Sequence, residues 1–279
     1  MTKRNLGAIK RSYDNRDLSL GAISAPQSLW PTPKAYSSDV SNIRHYYQNG
    51  WTTCGAHSGA ALKSFQEFRD TGMTDGCSPR FLWNQIKKID GYGIYDGTDM
   101  RSIFKTLSGV GDCHYTTMPD DHSLVLSEYS VVDAAQMDKA SDEAGEAIID
   151  AYGFLPNGFT LQDLKDAIYR YHQVLMLIRC DDGFFGNKIP TFSTKKYCHF
   201  VVAYGFDEEK IYILDSTEAV SSTDEKVIMN CYFPFIQEVG TAVDAGTLLV
   251  RGMIKKKNIL TKLVELYKQL IAYKNKKFS

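Results

Sequence analysis

Two apolar runs, HFVVAYGF at 199–206 and KIYILDS at 210–216, are separated only by Asp207-Glu208-Glu209. A short polar turn between apolar, β-branched and aromatic runs reads as an antiparallel hairpin. His199 begins the first strand and Asp215 ends the second, so the two stand opposite each other near one end of the hairpin. Just upstream, VLMLIRC reads as a further buried strand. Before it, FTLQDLKDAIYRY reads as a helix capped by Thr160, with Leu161, Leu164 and Ile168 inward. The second half of the chain is therefore organised as antiparallel sheet.

The first half reads differently. GAALKSFQEF carries Ala60, Ala61, Leu62 and Phe65 at helical spacing. Ser78-Pro79 is an N-cap followed by proline in the first turn, and Phe81, Leu82, Gln85, Ile86 and Ile89 continue a helical face. YDGTDMRSIFKTLSGVG supplies an Asp/Thr cap and a short helix through Ile103, Phe104 and Leu107, stopped by Gly109 and Gly111. Residues 115–150 are acidic and rich in small residues, and read as a surface excursion with one helix in DAAQMDKASDEAGEAIIDAYG. Residues 1–45 form an extended arm, interrupted by Pro26, Pro31 and Pro33. The expected fold is α+β, a helical N-terminal half packed on an antiparallel sheet with a cleft between them. The expected organisation is an arm (1–45), one domain (46–254) and a basic amphipathic helix (255–279).

That last segment holds eight lysines and one glutamate in a chain whose formal net charge is only −1. Ile259, Leu263, Leu266, Leu270 and Tyr273 recur at coiled-coil spacing, beside a second row of Leu260, Val264, Tyr267 and Ile271. Such a helix packs on its own domain, or joins copies into a homo-oligomer or a larger assembly. A membrane surface is the less favoured partner. A near-neutral chain gives no electrostatic case for nucleic acid. The N-terminus lacks the apolar run of a secretory signal, and no segment reaches transmembrane length. The six cysteines show no CxxC, which points to free thiols and a cytoplasmic setting. Cys198 and His199 as zinc ligands would have to share one strand face, which neighbours do not. No metal and no cofactor is expected.

The chemistry centres on QNGWTTCGAHS, residues 48–58. A cysteine where a loop enters a helix feels the positive end of the helix dipole, which favours thiolate. Gln48, six residues upstream, has an amide suited to an oxyanion hole. About 145 residues after Cys54 comes His199, with Asp215 on the paired strand. An imidazole oriented by a carboxylate and facing a thiol gives a thiolate–imidazolium pair. His57 reads as a packing or pocket-wall residue, and Cys198 as packing on the sheet face opposite His199. Trp51 and Tyr197 flank the site and are candidate substrate-groove residues or ordinary aromatic packing.

These stretches resemble the papain-like cysteine peptidases, in the form found in bacterial and viral members. QNGWTTCGAHSGAAL is similar to that family's glutamine, nucleophile and alanine-rich central helix. CSPRFLW with DGTDMRSIFKTLSGVG is similar to its following helices, and CHFVVAYGFDEEKIYILDST falls at its histidine and asparagine strands. A weaker likeness is to the bacteriocin-leader peptidases. The resemblance implies a thiol-dependent peptide-bond hydrolase, possessing a protein or peptide substrate and encoded by a phage or bacterium. It implies Cys54 as nucleophile, His199 as general base and acid, Asp215 as orienter, Gln48 as oxyanion donor, and Trp51, Gly55 and Tyr197 along the substrate groove. There are departures. Gly55 replaces the aromatic residue after the nucleophile, and Asp215 replaces asparagine. LDSTEAV stands where the family has the tryptophan that shields the asparagine, which predicts a His–Asp hydrogen bond open to water. The alternative from another class is a catalytically silent papain-like scaffold, such as a virion component, assembled through the C-terminal helix. Acyl transfer to amines by the same three groups is a third reading.

Overall fold

The computed structural model describes residues 7–12, 14, 17–20, 31–185, 187, 189–192, 197–217 and 226–243. The segment 255–279, and with it the expected C-terminal helix, lies outside the described residues. The elements run β1 (Ala8–Ile9), β2 (Tyr36–Ser37), α1 (Cys54–Thr71), α2 (Pro79–Ile86), β3 (Thr98–Asp99), α3 (Met100–Gly109), α4 (Leu126–Tyr129), α5 (Ala134–Ala144) and β4 (Ala151–Phe154). They continue with α6 (Leu161–Tyr171), β5 (Val174–Cys180), β6 (Tyr197–Phe206), β7 (Lys210–Leu214), β8 (Lys226–Met229) and β9 (Ile236–Val243).

The helices begin where local chemistry tells them to. Ser78 accepts from the Phe81 amide with Pro79 in the first turn of α2, and Asp99 accepts from the Ser102 amide to start α3. Thr160 and Asp163 make a reciprocal capping box on α6. Gly72, at φ 77°, closes α1 in the left-handed conformation that favours glycine. The helix α2 stops at Ile86, short of the expected face, and Ile89 lies 54% exposed beyond it.

One seven-stranded antiparallel sheet takes the order β4-β9-β5-β6-β7-β8, with β2 paired to β6. The period-two alternation of β5 and β6 splits the core in two. Leu175, Leu177, Phe200 and Val202 face α1, α2 and α3, in a cluster with Ala60, Leu62, Ile103 and Phe104. Val174, Met176, Ile178, Val201 and Ala203 face the other way, onto Leu164, Ile168 and Tyr171 of α6. The helix α1 is buried from Cys54 to Glu67 and so lies inside the molecule, with its Lys63 ammonium paired to Glu67 at 2.8 Å.

Two expectations are corrected. The stretch read as one helix through DAYG ends at Ala144, and Ala151–Phe154 is an edge strand on β9. The 115–150 stretch is also not simply surface. Met118, Tyr129, Ala140 and Ala144 are fully buried, three of them in a small core of their own with Phe81 and Cys113.

The N-terminal arm is tied down where it is described. Ala8 and Ile9 pair in parallel with Thr98 and Asp99, and the Thr98 amide donates to the Gly7 carbonyl at 2.8 Å. Further on, Arg101 pairs with Asp17, and the Phe154 amide donates to the Leu18 carbonyl. Among the described residues no helix is long and apolar enough to cross a membrane. The six cysteines are all free thiols.

Candidate active site

Cys54 is the first residue of α1, and Thr53 in the cap position makes no side-chain cap hydrogen bond. The Thr53 hydroxyl is buried and has no hydrogen-bond partner among the described residues, so the first-turn amides of α1 are left uncapped by it. The register places α1 directly on β6, with Ser58 Oγ donating to the Phe200 carbonyl at 2.9 Å. Phe200 adjoins His199, and hydrogen bonding to the backbone at Phe200 and Gly55 engages the Cys54 sulfur.

His199 and Asp215 meet across the end of the hairpin at 2.7 Å, Nε2 to Oδ1. Both are buried. Asp215 is a four-fold acceptor. Oδ1 also takes the Thr217 amide at 3.1 Å, while Oδ2 takes Lys226 Nζ at 2.7 Å and Thr217 Oγ1 at 2.5 Å. Burial alone would raise this carboxyl. The charges of His199 and Lys226, with their hydrogen bonds, outweigh it and hold Asp215 well below the usual carboxylate range. An ionised Asp215 accepts from Nε2–H, so that whenever the ring is neutral its lone pair is on Nδ1. Nδ1 is buried and has no hydrogen-bond partner among the described residues.

The expectation of a water-exposed His–Asp bond is corrected. The Phe184 ring lies edge-on to the His199 ring at 5.7 Å, and Lys226 Nζ sits 4.0 Å over that same Phe184 ring. An aromatic ring and a lysine thus stand against the pair, where the absent tryptophan predicts water. The thiol is corrected too. The helix-dipole argument predicts a lowered value, whereas burial, with Asp215 adding to it, pushes Cys54 up to about 12. In this state the sulfur is a neutral thiol turned to backbone amides.

Gln48 is fully buried and ties the two halves together. Its Oε1 accepts from Ser216 Oγ at 2.8 Å, its Nε2 donates to the Trp51 carbonyl at 2.7 Å, and its backbone amide donates to the Ser216 carbonyl at 2.8 Å. Among the described residues one Nε2 hydrogen has no acceptor. Trp51 is half-buried against Tyr129 and His122, with ring centroids 4.6 and 6.0 Å away. Tyr197 is half-buried, and its hydroxyl donates to Asp182 at 3.1 Å. Gly55 is fully buried, where a Cβ would come within 2.5 Å of Thr98 Cγ2. It is a close-approach residue between α1 and the Thr98 side chain. His57 is also buried, with Nδ1 2.9 Å from the Thr53 carbonyl and Nε2 3.3 Å from Asp120. Cys198 packs on the helix-side core, as alternation requires. Among the described residues no His/Cys/Asp/Glu group is arranged to hold a metal ion.

Three partners of the site escaped sequence reasoning: Lys226, Ser216 and Thr217. The one available signal is a lysine opening the otherwise apolar run KVIM.

The arm crosses this region. A Cβ on Gly7 would fall 1.9 Å from the Thr52 carbonyl oxygen, and Ala8 packs against the cluster that includes Cys54.

Comparison with solved structures fixes the architecture. The fold is that of the papain-like cysteine proteases. Xylellain, a cysteine protease from Xylella fastidiosa, superposes with a TM-score of 0.71 at 17% identity, over 88% of this chain and 99% of its own. Digestive procathepsin L 3 from the larval midgut of Tenebrio molitor gives 0.65 at 14%, over 86% and 76% of the two chains. A procathepsin B from Trypanosoma congolense gives 0.64 at 13%, over 87% of each. No protein-family profile matches the sequence, and no curated relative matches it either.

Proposed function

We propose that the chain is a thiol-dependent hydrolase of peptide bonds, with Cys54 as nucleophile, His199 as general base and acid, Asp215 as orienter and Gln48 as oxyanion donor. The observation that carries this reading is the buried Nδ1 of His199, without a hydrogen-bond partner among the described residues, on a ring whose Nε2 is held by an ionised carboxylate. Buried polar atoms ordinarily find a hydrogen-bond partner. This ring keeps its basic nitrogen vacant beside the residue that contacts the Cys54 sulfur.

In this reading a change of Cys54 rotamer turns the sulfur from the Phe200 amide to Nδ1, which takes the thiol proton. The thiolate attacks the substrate carbonyl carbon, and the carbonyl π pair moves to oxygen. The Cys54 amide and the remaining Gln48 Nε2–H receive that oxyanion. The imidazolium then protonates the leaving amine, and the C–N bond breaks to give a thioester. Water, deprotonated by His199, attacks the thioester and returns a carboxylic acid and the thiol. The fold shared with cysteine proteases adds weight to the same reading.

The test is hydrolysis of a fluorogenic peptide or casein, alongside the rate of Cys54 alkylation against pH, in the parent, Cys54→Ala and His199→Ala. Turnover lost in both variants, with parent labelling that falls in His199→Ala, supports the assignment. Labelling indifferent to His199 and no turnover after release of the arm would leave a non-catalytic scaffold instead.

A further inference from the structure

We propose that Lys226 is a positioning residue of this site, neutralising Asp215 so that His199 works against an aspartate–lysine pair of zero net charge. The inference rests on Cys54 and His199 being the reacting pair. It assigns a role to a residue on β8, the strand at the edge of the sheet beyond β7.

The geometry divides the carboxylate between two cations. Oδ1 belongs to His199 and Oδ2 to Lys226, each at 2.7 Å, and Thr217 supplies a hydrogen bond to both oxygens. Lys226 is buried and lies on the Phe184 ring that also flanks His199. Burying a lysine against one carboxylate oxygen is costly unless the charges balance. They balance when the four described groups are counted together. Thiolate, imidazolium, Asp215 carboxylate and Lys226 ammonium sum to zero, as a thiolate–imidazolium pair beside a neutral amide would. An unneutralised aspartate would oppose a thiolate at Cys54 and overstabilise the imidazolium, holding the proton the leaving group needs.

Among the described residues the ionisable neighbours are as follows. Asp215 pushes the thiols of Cys54 on α1 and Cys180 on β5 upward, Lys226 pulls Cys180 down, and Cys198 on β6 adds to both thiols. Tyr197 and Asp182 pair with each other beside Phe184. Arg44, His45 and His57 line the small cavity that reaches Asp215 from the α1 side. Among the described residues Lys226 is the lysine in direct contact with the carboxylate, at 2.7 Å.

The experiment compares the full chain with Lys226→Met, Lys226→Arg, Asp215→Asn and the double variant Asp215→Asn/Lys226→Met. Two readouts are followed against pH: Cys54 labelling by a small methyl-thiolating reagent, and ¹⁵N titration of the His199 ring in a Cys54→Ala background. Lys226→Met leaves one excess negative charge, so both profiles move to higher pH by about one unit, about a tenfold slower labelling at fixed pH. Asp215→Asn leaves one excess positive charge and moves both profiles down. The double variant returns them to the parent position, and Lys226→Arg stays there. Profiles of Lys226→Met that superimpose on the parent, or a double variant that fails to return, overturn the proposal. Should Lys226→Met fail to fold, the charge-neutral double variant against Asp215→Asn still decides. The ring titration separates this proposal from the hydrolase reading, because it responds to Lys226 whether or not the protein turns over peptides.

Discussion

The Gly7 carbonyl accepts the Thr98 amide at 2.8 Å, and this bond fixes the N-terminal arm between Thr52 and the start of α3. Thr52 lies two residues from Cys54, and Thr98 covers Gly55. Cys54 is fully buried, in the cluster that Ala8 of the arm packs against. Only glycine fits at position 7, because φ is 74° and a Cβ would meet the Thr52 carbonyl. Gly7→Val should therefore displace the arm without touching the site. Each 1.4 kcal/mol of docking lost raises the accessible fraction about tenfold, so Cys54 labelling at neutral pH should rise by at least that factor. A labelling rate unchanged by Gly7→Val would mean that the arm does not guard the thiol.

Gln48 separates oxyanion chemistry from thiol activation. Gln48→Ala removes the amide that bonds Ser216 and the Trp51 carbonyl, and leaves Cys54, His199 and Asp215 in place. Peptide turnover should fall by about 10²-fold, the usual cost of losing one oxyanion donor. Cys54 labelling should stay within a few-fold of the parent, since alkylation develops no oxyanion. Equal losses in both assays would show that Gln48 acts by holding the Ser216 loop.

What was legible in the sequence followed locality. The hairpin at Asp207–Lys210, the caps at Ser78, Asp99 and Thr160, and the strand 174–180 declare themselves within a few residues, where turn chemistry and periodicity act. The strand β9 does not. In IQEVGTAV it carries a Gly240 whose Cβ, were there one, would lie 2.8 Å from Met100 and Phe104, so its fitness for a place between β4 and β5 is set by distant partners. Lys226 was invisible for the same reason, because a surface lysine and a buried counter-charge look alike until β8 is paired with β7. The thiol shows a contest of magnitudes. Position at a helix start is readable from sequence and favours thiolate, but burial is not readable and wins.

Tyr129 should matter to stability through a carboxylate. Its hydroxyl donates to Asp120 Oδ1 at 2.6 Å, while His57 Nε2 stands 3.3 Å from Oδ2. Burial would raise Asp120, but the His57 charge and these hydrogen bonds prevail and lower it. A carboxylate with a depressed folded value stabilises above the ordinary range of about 3.9 and loses that contribution as pH falls through the folded value. Tyr129→Phe should cost about 1.5–3 kcal/mol in chemical denaturation at pH 7, the range for hydrogen bonds to charged groups. The deficit should narrow in acid. A deficit independent of pH would assign it to lost packing on Trp51.

Glu238 on β9 works in the opposite sense. Burial pushes it up to about 7, against the pull of Arg11 and Lys10 on the arm, and its Oε2 lies 3.6 Å from Arg11 Nε. Its ordinary value is 4.5, so the folded chain holds this proton more tightly than the unfolded one. The group therefore stabilises fully below about 4.5, and that contribution is lost as pH rises toward 7. The loss is on the order of 3 kcal/mol. Glu238→Gln keeps the shape and cannot ionise, so its stability should not carry this slope. Denaturation at pH 4.5 and pH 8 should show the variant gaining on the parent by on the order of 2–3 kcal/mol across that interval. A difference that stays constant between the two pH values would place water at the carboxylate and remove Glu238 from any pH-dependent hold on the arm.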